Sequence, residues 1–166
     1  DRIAMNDYEV WYKKSYTIKK RYLDIFSRLG YGHLTTTYSE TEIMILLMEE
    51  IMNLVGEDES RDRLVISKGH GAGILFPILE DMGLLTEDET DQMLTKHGDY
   101  SKLQQFYYPG FNFYGGSLGI GLGMAAGLAM GAKLNRENWM TFCLIGDAEC
   151  YEGSIWEAML FAGHNR

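Results

Sequence analysis

Two short segments place chemistry-bearing side chains directly after apolar runs. In Thr141-Phe142-Cys143-Leu144-Ile145-Gly146-Asp147-Ala148-Glu149, an apolar stretch delivers Asp147 at its carboxyl end. Open α/β sheets bind their ligands at that end of a strand. A carboxylate there suits Mg²⁺ that also carries a phosphate; the alternative is an aspartate that caps the following helix. In Ser67-Lys68-Gly69-His70-Gly71, glycines flank a histidine just past Arg63-Leu64-Val65-Ile66. Such glycines let backbone approach a ligand, and the next helix points its first N–H groups at an anion. His70 can donate to a phosphate oxygen, or serve only as an internal hydrogen-bonder. Gly30-Tyr31-Gly32-His33 and Gly115-Gly116-Ser117-Leu118-Gly119 are two further glycine-rich helix entrances. Four such turns, with two histidines and one aspartate, exceed the needs of a core and point to a diphosphate-bearing ligand.

The elements that must position these residues follow from periodicity. Val10, Tyr16, Ile18, Tyr22, Ile25, Phe26 and Leu29 recur at helical spacing over residues 6–29, and Gly30 and Gly32 stop that helix. Ser39-Glu40-Thr41-Glu42 reads as a capping box that opens a second helix running to about Leu54. Residues 63–66 suit a buried strand. A helix near Gly71 and a capped one over Thr86–Thr95 follow, with Gly83 between them. Residues 98–114, rich in Tyr, Phe and Gly, read as a loop. Residues 140–145 form a second strand candidate, and 151–164 return to helical spacing. Strands alternating with helices indicate an α/β layer fold with a mostly parallel sheet.

The apolar segment Ser117–Leu134 admits three readings. Gly121-Leu122-Gly123-Met124-Ala125-Ala126 matches the dinucleotide pattern GxGxxA, but no strand leads into it and no acidic residue follows at the required distance. The unbroken apolar run falls short of the ~20 residues that span a bilayer. Gly119, Gly123, Gly127 and Gly131 recur every four residues on one helical face, so a buried, tightly packed central helix is expected.

Composition narrows the class. The 166 residues, 46% hydrophobic, suffice for one domain with its own core. A net charge of −9 repels phosphate backbones and argues against nucleic acid as a partner. Cys143 and Cys150 are too few for a disulfide scaffold and are not spaced as CxxC, so a reducing cytoplasm is expected. The mixed, charged first 20 residues do not form a signal peptide. Asp1 in place of Met, and Arg166 inside a helical pattern, lead us to expect a fragment.

The ordered set of motifs is similar to one family. Arg61-Asp62-Arg63-Leu64-Val65-Ile66-Ser67-Lys68-Gly69-His70-Gly71 resembles the RDRxxxSKGHG segment of transketolases, and Gly116-Ser117-Leu118-Gly119-Ile120-Gly121 their GSLGxG segment. Gly146-Asp147-Ala148-Glu149, continuing to Glu152-Gly153 and Trp156-Glu157-Ala158, resembles GDGExxEGxxWEA. Gly32-His33-Leu34, followed by Ser39 and Glu42, fits the amino-terminal GH segment. The resemblance spans residues 30–164.

It implies a three-layer thiamine diphosphate-binding fold: residues 1–166 would be the diphosphate-binding module, truncated on its carboxyl-terminal side. Asp147 would ligate Mg²⁺, with Gly146, Ala148 and Glu149 in the same cofactor-binding turn. His70 would contact the cofactor, His33 would face the sugar, and Gly116, Ser117 and Leu118 would lie against the thiamine rings. The short amino-terminal lead is similar to split transketolases, whose pyrimidine-binding module is a separate subunit. A homodimer or heterotetramer acting on a sugar or sugar phosphate is implied, with no nucleic acid and no membrane. The cofactor supplies the electron sink for carbon–carbon cleavage. The family's second metal ligand would lie beyond Arg166 and its activating glutamate in the pyrimidine module, so the chain is expected to be inactive alone.

Departures from the family pattern are informative. Ala148 replaces the usual glycine of GDG. The histidine expected after Leu103-Gln104 is missing, since Gln105-Phe106-Tyr107-Tyr108-Pro109-Gly110 stands there, and His97 comes too early to replace it. Two other readings stand beside transketolase. One is another thiamine diphosphate enzyme, such as a deoxyxylulose phosphate synthase or a 2-oxo acid dehydrogenase component. The other is a non-catalytic binding module of the same fold.

Overall fold

The computed structural model describes residues 5–30, 32–54, 60–97 and 116–165. They fall into two compact units, Asp1–Glu50 with Gly73–Tyr100, and Ile51–Ala72 with Ser101–Arg166. The loop reading for residues 98–114 lies outside the described residues.

The first unit is built on α1 (Met5–Leu29). Ile18, Tyr22 and Ile25 follow at i, i+4 and i+7 and are all fully buried, as one apolar stripe requires. Gly30 closes the helix in the left-handed region (φ 71°), its N–H donating to Phe26 O at 2.9 Å. α2 (Leu34–Leu46) begins five residues before the expected capping box and continues as a π-helical turn, Leu47–Ile51. Ser39 is therefore inside the helix, where its hydroxyl donates to Thr36 O at 2.8 Å. Glu42 accepts instead from Ser15, at 2.6 Å, and from Lys19. The packed face explains the difference: Thr37, Glu40, Thr41, Met44 and Ile45 form one buried stripe that starts upstream of Ser39.

Cations of α1 hold the two later helices of this unit, α3 (Leu75–Asp81) and α4 (Glu87–His97). Arg21 grips Glu80 through both fork positions, at 2.7 and 2.9 Å, and reaches Asp91 at 3.3 Å. Arg28 adds a second fork on Asp91, with one branch at 2.7 Å. α4 opens on the reciprocal cap expected from the sequence: Thr86 N–H donates to Glu89 at 2.8 Å and Glu89 N–H to Thr86 Oγ1 at 3.2 Å.

The second unit holds the two strands found among the described residues, β1 (Arg63–Ile66) and β2 (Thr141–Leu144). They pair in parallel, Arg63 opposite Thr141 and Ile66 opposite Leu144. Their amino ends are tied by Asp62, whose carboxylate accepts Asn53 N–H at 2.8 Å and Met140 N–H at 2.7 Å. The Arg63 guanidinium lies 4.7 Å from the Trp139 ring centre. Two helices complete the unit, α5 (Ile120–Asn135) and α6 (Gly153–His164). This parallel pair among helices is the α/β architecture expected from the sequence. No described helix is long and apolar enough to cross a membrane.

The glycine stripe behaves differently from expectation. Among the described residues, a Cβ built on Gly123, Gly127 or Gly131 would meet nothing within 4 Å, so nothing described covers that face of α5. The packed face carries Gly121, Ala125 and Ala132. A Cβ on Gly121 would come within 2.6 Å of the Ser67 Cα. Two residues along a helix turn the face by about 200°, so when Gly121 meets Ser67 the helical members of the stripe, Gly123, Gly127 and Gly131, point away.

Gly121→Ala should accordingly destabilise the protein by about 1–3 kcal/mol through overpacking. Gly127→Ala should stabilise it by about 0.5–1 kcal/mol through helix propensity alone. Urea unfolding of the two variants checks the pair, and equal effects would refute this packing. The Arg28 hydrogen bond holds the Asp91 carboxyl below its ordinary value, against the opposing effect of burial. A depressed carboxyl contributes stability above its unfolded value, near 4, and loses it as pH falls through the lower folded value. Asp91→Asn should cost about 0.5 kcal/mol at neutral pH. That cost should vanish near pH 2 in thermal melts; a gap that persists there would rule out the ion pair as its source.

Candidate functional site

Parallel pairing puts the carboxyl ends of β1 and β2 at one edge of the second unit. The last rung is Ser67 N–H to Leu144 O, at 2.9 Å. Beyond it both chains leave the sheet through short 3₁₀ turns, Gly69–Ile74 after β1 and Ala148–Tyr151 after β2. The local sequence accounts for both exits, since glycine at 69 and at 146 breaks a β-branched or apolar run.

Asp147 is exposed at this edge and makes no side-chain capping bond to the turn that follows it. Of the two sequence readings, the capping aspartate is therefore not realised. Glu149 performs the local capping: its Oε2 accepts Gly146 N–H at 3.1 Å. Its Oε1 accepts Gly119 N–H at 2.7 Å and the Ser67 hydroxyl. The Ser67 oxygen in turn accepts Gly121 N–H at 3.1 Å. Glu149 is 1% exposed, and the Gly146, Gly119 and Ser67 donors meet its carboxylate oxygens.

The glycines that begin α5 fit this arrangement closely. Gly119 adopts a left-handed conformation (φ 87°), and a Cβ there would sit 2.7 Å from the Glu152 Cβ. Ser154, on α6, donates to Gly119 O at 2.9 Å. Gly116, Ser117 and Leu118 precede this turn and are exposed, Leu118 by 41%. His70 is exposed on the 3₁₀ turn after β1, and a Cβ on Gly146 would lie 3.5 Å from Lys68 Cδ. His33 belongs to the first unit. There it precedes α2 with φ −122° and ψ 80°, exposed, its side chain making no capping bond.

The second unit thus gathers Ser67, Gly119, Gly121, Gly146 and Glu149 into one hydrogen-bonded cluster, with Asp147 next to it in the chain. Ser67 and Gly121 were not singled out as individual site residues in the sequence. The available signal was a serine immediately past a strand and a glutamate three residues after Gly146. Cys143 is no nucleophile: burial, and after it the Glu149 charge, push its thiol up to about 12. Both cysteines are free thiols.

Among the described residues no cluster of three His, Cys, Asp or Glu side chains could hold a metal ion. A single exposed carboxylate does not make a closed structural metal centre. It does fit Mg²⁺, which uses one or two carboxylates and takes further ligands from phosphate oxygens. The N–H groups of Gly119, Gly121 and Gly146 beside it already donate to Glu149 and Ser67, so among the described residues the fit rests on the exposed, uncapped Asp147 carboxylate.

Comparison with known proteins agrees with this chemistry. Residues 13–166 match the family model described as transketolase, thiamine diphosphate binding domain. Human transketolase is 39% identical over 140 residues, which cover 80% of this chain and 22% of that protein. Human transketolase-like protein 2 is 35% identical over 139 residues, covering 81% of the chain and 22% of its own length. A protein of Rhodococcoides fascians named ferredoxin fas2 is 38% identical over 144 residues, 81% of this chain and 46% of that protein. The chain spans about a fifth of the length of the transketolases it matches. With a family match over residues 13–166 and a glycine-lined, aspartate-bearing sheet edge, the chain belongs to the transketolase family and carries its thiamine diphosphate binding domain.

Proposed function

We propose that this chain is the diphosphate-binding subunit of a Mg²⁺-dependent transketolase that moves a two-carbon ketol unit between sugars or sugar phosphates. The observation that carries the reading is Asp147, an exposed, uncapped carboxylate at the carboxyl end of β2 beside close-packed glycine turns. In this reading Asp147 holds Mg²⁺ against the diphosphate, and Gly146 and Ala148 bring backbone to it. His70 donates to the cofactor, while Gly116, Ser117 and Leu118 line the thiamine rings. His33 holds and moves a proton at the sugar. Bound thiamine diphosphate supplies the electron sink for carbon–carbon cleavage.

The pyrimidine-binding module is the partner this reading requires, in a homodimeric or heterotetrameric assembly. Its support is the apolar surface of the second unit: Tyr151 (93% exposed), Trp156, Leu160 and Phe161 all face solvent on or beside α6. The free thiols of Cys143 and Cys150 support a cytoplasmic setting. A second reading, a non-catalytic module of the same fold, is favoured by one feature: Gln105-Phe106 where the family pattern has a histidine.

Calorimetric titration of thiamine diphosphate into the full-length protein and its pyrimidine-module partner separates the two. Mg²⁺-dependent binding is expected, weakened at least ~100-fold in Asp147→Ala, in line with the loss of a charged metal ligand. No binding in that complete assembly would favour the non-catalytic module. His33→Ala should leave cofactor affinity within about twofold and lower kcat/KM for ketol transfer by ~10²–10⁴. An unchanged rate would remove His33 from the sugar side.

A further inference from the structure

The resemblance groups Glu149 with the cofactor-binding residues, yet both its oxygens are occupied by the protein and it is 1% exposed. We infer that Glu149 is a positioning residue: a buried carboxylate that never touches the ligand and locks the three turns of the diphosphate edge into one rigid unit. The inference rests on the thiamine diphosphate reading of this edge. The three donors come from three different stretches of chain. Ser67 follows β1, Gly146 follows β2, and Gly119 opens α5. A fourth group, Gly121 N–H, joins through the Ser67 oxygen at 3.1 Å. None of the turns can shift without breaking a charge-assisted bond to a carboxylate that has no access to water.

Each turn also carries, or adjoins, a group assigned to the ligand. Asp147 directly follows Gly146, His70 lies three residues after Ser67, and Leu118 directly precedes Gly119. The spacing of these groups is therefore set by a residue beneath them. Steric fit enforces the same register, because a Cβ at Gly119 would come 2.7 Å from Glu152 Cβ and one at Gly121 2.6 Å from Ser67 Cα. The chemistry demands an anion with two acceptor oxygens. An amide in its place offers one acceptor oxygen, and turns its NH₂ donors toward at least one N–H or O–H donor.

The comparison residue sits at the other end of the same strand pair. Asp62 also carries two backbone N–H groups, from Asn53 and Met140, at the amino ends. Removing its charge should disturb the sheet to a similar extent, away from the ligand edge.

The test compares Glu149→Gln, Ser67→Ala and Asp62→Asn in the full-length protein with its pyrimidine-module partner. Thermal midpoints are recorded, and Mg²⁺ with thiamine diphosphate is titrated well below all of them. Glu149→Gln should lower cofactor affinity at least tenfold and raise the Mg²⁺ concentration needed for half-saturation. Asp62→Asn should stay within twofold of wild type even where its midpoint falls as far. Ser67→Ala, which keeps two of the three donors, should lose about threefold to tenfold; it carries the test if Glu149→Gln does not fold. Affinity losses that track the midpoint equally in all variants would overturn the positioning role. So would wild-type affinity in Ser67→Ala and Glu149→Gln. Failure of the wild-type assembly to bind would instead overturn the thiamine diphosphate reading itself.

Discussion

A carboxylate withdrawn from water must be met by donors, since an unsatisfied buried group costs about 1–3 kcal/mol and a charged one more. Glu149 is in that position. The donors that meet it come from just past the ends of both strands and from Gly119, the residue before α5. The requirement runs both ways: the carboxylate needs those donors, and the Gly119 and Gly146 N–H groups need an acceptor that neither strand nor helix supplies. The path of the chain at the sheet edge follows from that mutual demand, and with it the placement of Asp147.

The strand pair shows one device used at both ends. Its middle is apolar and buried through Leu64, Val65 and Ile66, where packing drives assembly without specifying direction. Its ends are polar, with Asp62 accepting two backbone N–H groups at one and Glu149 accepting two backbone N–H groups and a hydroxyl at the other. Hydrogen bonds to charged acceptors are directional, so they fix the register that the apolar residues leave open.

The first unit solves a different problem with different chemistry. Its helices bury Ile18, Tyr22, Ile25, Met44 and Ile45, and the polar contacts that α1 makes to α3 and α4 include the forks of Arg21 and Arg28. Arg21 is only partly exposed, so its two-pronged grip on Glu80 is screened less than a surface pair would be. Burial gathers the α1 face, and the arginines choose which carboxylates of α3 and α4 stand opposite it.

Elements with a local cause were readable in the sequence: α1 from its apolar stripe, the Thr86–Glu89 cap, both strands from their apolar runs, and the α/β class from their alternation. So were the motif positions, including Asp147, because a short strand that ends in Gly-Asp says where the chain leaves the sheet. The start of α2 was misplaced, since Ser39 and Glu42 make a plausible cap whose side chains are claimed by Thr36 and by α1. The packed face of α5 was likewise out of reach: four-residue spacing defines a face, and only the close approach of Gly121 to Ser67 decides which face is covered. Types and spacing therefore determined which groups the chain carries and on which elements. The tertiary structure alone decided that Asp147 is left uncapped while Glu149 is buried. Capping, burial and steric fit are contacts between residues far apart in the chain, and no local pattern records them.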